Sequence, residues 1–160
     1  MFTVLLSILL LLTATPLWAM GQAPLSFQQN STLVGQSVID IALPRLSGTP
    51  SNFTQAREGK KAIVMFWATW CPHCHDALAQ IHRQQAAIEA KNIKILLVDV
   101  GESKEEVAAY FKRYGYTFDS FLDEENALQE PYQIIGVPTM IYIDDKGVIT
   151  NVMHELPENF

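Results

Sequence analysis

Cys71 and Cys74 are the two cysteines of this chain, and they sit in a single motif, Trp70-Cys71-Pro72-His73-Cys74. Thiols three positions apart on one helical turn can close into a disulfide and reopen, which is the chemistry of dithiol–disulfide exchange. The pair follows a strand-like apolar run at residues 62–68 and precedes a helix-patterned segment over 72–91. It therefore stands at a helix N-terminus, where unpaired N–H groups and the helix dipole favour a thiolate at Cys71 over the thiol. Pro72 suits the first helical position, because the N–H it lacks would have no partner there. Cys71 is read as the nucleophile and the more exposed of the two, and Cys74, inside the first turn, as the resolving thiol. His73 is read as the tuning residue: an imidazolium beside a thiolate lowers its pKa, and stabilising the reduced form raises the reduction potential. Such chemistry needs no bound organic cofactor.

The elements that must position this pair can be read from pattern. Residues 38–43 form a short strand candidate ended by Pro44, and 52–54 a brief second strand or turn. Residues 62–67 form the first long strand. The helix over 72–91 carries Leu78, Ile81 and Ile88 on one face, and 93–99 reads as a buried parallel strand. Ser103 and Glu106 make a capping box, and the helix they open runs through Val107, Tyr110, Phe111 and Tyr114 until Gly115 stops it. Residues 118–121 are a short strand candidate, and Asp123 caps a brief helix through Leu128, limited by Pro131. The spans 140–144 and 148–153 form a hairpin around Asp145-Lys146-Gly147. Strand and helix alternating ahead of a terminal hairpin predict an α/β domain with a mixed sheet.

A length of 160 residues with 49% hydrophobic positions supports one domain with a core of ordinary size. Eleven basic against seventeen acidic residues give a net charge of −6 with no basic run, which argues against nucleic acid as a partner. Residues 2–20 carry no charge, 4–12 form an apolar core, and Ala19-Met20-Gly21 offers a small-x-small cleavage pattern. The expected organisation is a signal peptide or membrane anchor over 1–21, a polar linker over 22–36 and a domain over 37–160. A cleaved signal is favoured over an anchor that would tether the domain. An exported protein whose cysteines all lie in one motif has none left for a structural bridge, so these read as working thiols.

Phe66-Trp67-Ala68-Thr69-Trp70-Cys71-x-x-Cys74 resembles the active-site segment of thioredoxin-fold proteins. More narrowly, the chain resembles the exported TlpA/ResA-type thiol–disulfide oxidoreductases from about Leu33 to Met153. Val100-Gly101-Glu102-Ser103 is similar to the start of that group's inserted helix, and Gly136-Val137-Pro138-Thr139 to the fold's cis-proline loop. The resemblance implies a thioredoxin-like α/β fold, a central mixed sheet flanked by helices. It also implies a periplasmic or otherwise extracytoplasmic location, protein thiol or disulfide substrates and a membrane or periplasmic redox partner. Trp70, Val137 and Pro138 become substrate-binding candidates, with a cis bond before Pro138 freeing the Val137 backbone to pair with an incoming peptide. Three departures stand out. Pro72-His73 matches the DsbA-type oxidases, whose potential of about −120 mV lies far above the about −270 mV of thioredoxin. Met65 stands where thioredoxin has a buried acid. Only residues 154–160 follow the last strand, so the group's final helix is expected to be lacking. The family frame points to a reductase and His73 to an oxidase, and both directions stay open here.

The alternative of another class is a copper- or zinc-binding chaperone using the same thiols. His75, Asp76 and His82 invite it, but no second Cys pair follows. His75 and His82 are read as surface residues, and His154 is a poor remote ligand. Peroxidase chemistry is discounted, because no proline- and threonine-marked loop precedes Cys71. Glu102, Glu105 and Glu106 are read as acids favoured at a helix start. Two sequons, at Asn30 and Asn52, are treated as chance.

Overall fold

A computed structural model describes residues 32–160. The expected export segment, the linker up to residue 31 and the Asn30 of the first sequon lie outside the described residues.

The chain forms α1 (Phe53–Arg57), β1 (Lys61–Trp67), α2 (Pro72–Ala90), β2 (Ile93–Val100), α3 (Lys104–Tyr114), β3 (Ser120–Asp123), β4 (Thr139–Ile143) and β5 (Ile149–Met153). One five-stranded sheet has the order β3-β2-β1-β4-β5. The first three strands run parallel and the terminal hairpin packs beside them through β4, which runs antiparallel to β1. This is the mixed sheet the pattern predicted. β1 lies at its centre and is buried on both faces, which is why it reads as an unbroken apolar run.

Alternate residues of β1 feed two cores. Ile63, Met65 and Trp67 pack with Leu78, Ile81 and Ile88 of α2 and Val107, Tyr110 and Phe111 of α3. Ala62, Val64 and Phe66 pack on the other face with Phe53, Leu128, Tyr132 and Ile134. Complete burial of a ring such as Phe66 or Phe53 contributes about 1.5–3 kcal/mol. Trp67 is fully buried, stacks on Phe111 at 5.2 Å, and donates its indole N–H to Ser120 Oγ at 3.2 Å. The strand that delivers the cysteines is thus held on both sides.

Several local expectations are corrected. Residues 52–54 are a helix start: Asn52 caps α1 through a capping box with Gln55, and Phe53 is its buried anchor. Residues 38–43 make one isolated bridge, Leu43 with Ser51, and the chain reaches the open edge of β3 only after Pro44, where Arg45 bridges Phe121. The strand expected at 118–121 lies two residues later, at Ser120–Asp123. Asp123 does act as a cap, accepting from the amides of Ala127 and Leu128, but residues 124–133 form successive turns instead of a helix. Residues 33–36, assigned to the linker, already belong to the domain. Leu33 is buried, Gly35 N–H donates to Ile149 O, and Ile149 N–H donates to Gln36 O. The helix over 72–91, the Ser103 capping box, the Gly115 stop and the terminal hairpin stand as expected.

No helix follows β5 among the described residues. Residues 154–160 run across α2, where Gln80 and Gln84 donate to the carbonyls of Pro157 and Glu158 and Phe160 N–H donates to Gln84 Oε1. Leu156 and Phe160 rest against the α2-side core.

Candidate functional site

β1 ends at Trp67, and Ala68, Thr69 and Trp70 turn the chain into α2. Cys71 is the N-cap of that helix, in extended conformation (φ −92°, ψ 110°) with Pro72 at the first position, so the sequence places the sulfur at the positive end of the helix dipole. Cys71 Sγ accepts a hydrogen bond from the Cys74 amide at 3.1 Å. The two cysteines are joined as a disulfide with Cα atoms 5.2 Å apart. Cys71 is the more exposed of the two, as read from the sequence, but at only 3%, while Cys74 is fully buried. What stands out to solvent is Trp70, at 67%, together with Pro72 and His73.

The cover over Cys71 comes from the segment before β4. The Val137–Pro138 bond is cis, as the resemblance implied. The Val137 carbonyl oxygen lies 3.5 Å from Cys71 Sγ. Thr139 Oγ1 donates to Gly136 O at 2.7 Å, and His154 Nδ1 lies 3.2 Å from Pro138 O, so this loop is fixed from both flanks. Trp70, Val137 and Pro138 are therefore brought together around the disulfide, and His73 stands on its outer rim.

The surroundings differ in character on the two sides. Toward Trp70 lies an open hollow of about 360 Å³, lined by Val100, Asn126, Ile134, Ile135 and Val137 among others, with no charged side chain. Ile135 is 82% exposed there. Toward His73 lies a second hollow of about 430 Å³ bordered by Asp76, Gln80, His154 and Glu155.

Two acids behind the site escaped the sequence reading. Glu102 is not a helix-start acid: Ser103 is the N-cap of α3, which leaves Glu102 outside the helix, and only Glu105 and Glu106 lie in its first turn. The Glu102 carboxylate instead accepts from the Thr69 amide at 2.6 Å and from the Thr69 hydroxyl. Asp99, facing Trp67 in the β1–β2 register, is completely buried and its Oδ1 accepts from the Glu102 amide at 3.2 Å. Burial, then the neighbouring Glu102 carboxyl, pushes the Asp99 carboxyl up to about 8. At neutral pH it is therefore mostly protonated. Its Oδ2 meets no acceptor or donor, and a proton held on the carboxyl makes the approach to Glu102 favourable. A signal for Glu102 was present, since the capping box already excluded it from the helix; Asp99 gave none. His75 is likewise no free surface residue. Its Nε2 lies 2.7 Å from Thr69 O and its ring packs on Tyr110 and Tyr114. His82 is exposed beside Tyr116 and Phe118.

Among the described residues no three His, Cys, Asp or Glu side chains are grouped to hold a metal ion. None of the described helices is long and apolar enough to cross a membrane.

A helix-capping disulfide under a cis-proline loop, at the end of the central strand of a five-stranded mixed sheet, defines a thioredoxin-like fold. Residues 34–152 match the model of the AhpC/TSA family, and the chain belongs to that family. It is 28% identical over 126 residues to the thiol-disulfide oxidoreductase ResA of Geobacillus thermodenitrificans, covering 79% of this chain and 72% of the relative. It is also 28% identical over 153 residues to the thiol:disulfide interchange protein DsbE of Escherichia coli, covering 90% of this chain and 79% of the relative. Among solved structures, StoA from Bacillus subtilis superposes with a TM-score of 0.62 at 25% identity, covering 72% of this chain and 87% of that one.

Proposed function

We propose that this protein is a thiol–disulfide oxidoreductase acting on cysteines of other proteins through the Cys71–Cys74 pair. The observation that carries this is the disulfide itself, capping α2 with Cys71 Sγ on the Cys74 amide and against the Val137 carbonyl. Relatives named for thiol–disulfide exchange support it.

In the oxidising direction a substrate thiolate attacks Cys71 Sγ. The new S–S bond forms as the Cys71–Cys74 bond breaks, and Cys74 leaves as a thiolate. A second substrate thiolate then attacks the substrate sulfur of the mixed disulfide and expels the Cys71 thiolate. The substrate loses two electrons and the pair gains them. In the reducing direction the Cys71 thiolate attacks a substrate disulfide, and Cys74 resolves the mixed species. The helix N-terminus and the Cys74 amide stabilise the Cys71 thiolate in either direction, and His73 on the rim adds to that field when protonated. The substrate enters as an extended segment whose backbone pairs at Val137, with its flanking side chains over Trp70 and Ile135.

Export belongs to the same reading: residues 1–21 direct the domain to an extracytoplasmic compartment, and residues up to 31 tether or precede it. The uncharged stretch at 2–20 and the small-x-small pattern at Ala19-Met20-Gly21 support this. Cys71→Ser should abolish disulfide exchange with insulin, and Cys74→Ser should accumulate a mixed disulfide at Cys71. Turnover surviving in Cys71→Ser would overturn the proposal.

A further inference from the structure

Thr69 is the residue on which the turn into α2 is pinned. Its amide and hydroxyl both donate to the Glu102 carboxylate, and its carbonyl oxygen lies 2.7 Å from His75 Nε2. Glu102 is nearly buried at 9% exposure, and its own amide is held by Asp99 Oδ1. Charge-assisted bonds of this kind are shorter and roughly twice as strong as neutral ones.

Besides these contacts the turn is closed by one backbone bond, Cys71 N–H to Ala68 O at 3.3 Å. Trp70 stands 67% exposed and so supplies no buried anchor. The placement of Cys71 nonetheless decides whether its sulfur meets the Cys74 amide at 3.1 Å. That bond is worth most when the sulfur is a thiolate, so the position of the turn bears directly on the stability of the reduced form.

We propose that Glu102 is a positioning residue of the exchange site: by gripping Thr69 from behind, it keeps Cys71 Sγ on the Cys74 amide and so stabilises the thiolate. Glu102 acts through Thr69 and touches neither sulfur nor substrate in this role. The inference rests on the exchange reading above.

Two substitutions test it from opposite ends of the contact. Glu102→Gln removes the charge and leaves one acceptor oxygen for two donors; Thr69→Val removes the hydroxyl and leaves the charge. Losing a hydrogen bond to a charged group costs about 1.5 kcal/mol. Each variant is therefore expected to shift the dithiol–disulfide equilibrium with glutathione up to about tenfold toward the disulfide, which lowers the potential by about 30 mV. Each should raise the pH midpoint of Cys71 alkylation by iodoacetamide. The double variant should shift no further than the larger single one, and Thr69→Ser, which keeps both donors, should return wild-type values. If both variants lose thermal stability while potential and alkylation profile stay at wild type, Glu102 is structural support and the inference fails. It also fails if Glu102→Gln lowers the alkylation midpoint while Thr69→Val leaves it alone, since the carboxylate then acts through its charge. A wild-type protein that does not equilibrate with glutathione at all would remove the exchange reading itself.

Discussion

Replacing Asp99 by Asn should change how stability depends on pH more than it changes stability at any one acid pH. Asp99 is completely buried, and its carboxyl is pushed from the usual 3.8 up to about 8. Between those values the folded chain keeps a proton that the unfolded chain has lost, so stability falls as pH rises. The slope approaches about 1.4 kcal/mol per pH unit. Other carboxyls work in the opposite sense: Glu58, Glu106 and Asp144 are held below their ordinary values by Lys94, by Ser103 and by the Val148 amide respectively. Their contribution is present above the unfolded carboxylate range and is lost only as pH falls below it. Among the carboxyls of the described residues, Asp99 is the one displaced into the window from about pH 5 to 8, over which it should withdraw about 4 kcal/mol from the wild type. The amide introduced by Asp99→Asn keeps the shape and the Oδ1 acceptor for the Glu102 amide, and has no proton to lose. Urea unfolding of the oxidised protein at about pH 5, 6.5 and 8 measures this. The variant should show a shallower profile than the wild type and exceed it at the alkaline end. Parallel profiles for the two proteins would refute the reasoning, because Asp99 would then ionise in the folded chain as it does in the unfolded one.

His73→Ala should lower the reduction potential of the pair by about 15–30 mV in a glutathione buffer, the modest size reflecting solvent screening at an exposed residue; an unchanged potential removes His73 as a tuning residue. Ile135→Asp should raise KM for a peptide disulfide about fivefold or more while leaving stability within about 0.5 kcal/mol, since Ile135 is 82% exposed. An unchanged KM would place substrate elsewhere. Arg57 is buried, and its Nη1 donates to the carbonyls of Lys60, Asp144 and Asp145, joining α1 to the hairpin turn. Arg57→Ala should cost about 2–3 kcal/mol in urea unfolding, and a loss under about 0.5 kcal/mol would contradict that contact set.

The site was legible where its signals are local. An unbroken apolar run, a proline after the first cysteine and helical spacing of Leu78, Ile81 and Ile88 suffice to put Cys71 at the start of α2. The Ser103 capping box and Gly115 stop are equally local. Short elements defeated the same reasoning. Asn52-Phe53-Thr54 carries too few residues to show a period, and its cap was legible only through Gln55. The run at 38–43 looks like a strand, but a strand needs a partner along its length, and this run pairs only at Leu43, with Ser51. Glu102 and Thr69 lie 33 residues apart and meet only because β1 and β2 pair side by side. That contact belongs to tertiary structure, so no window of sequence contains it. The shielding of Cys71 was missed for the same reason, because Val137 arrives from the far end of the chain.

That shielding has a consequence for which clients can be served. A cysteine 3% exposed, with its sulfur beneath a carbonyl, leaves a slot and not a platform. A rigid globule presenting its disulfide on a smooth face is stopped by steric bulk before sulfur meets sulfur. On the proposed reading, loose tails and protruding loops would pass this gate more readily, so clients would be sorted by their pliancy before any side chain is read.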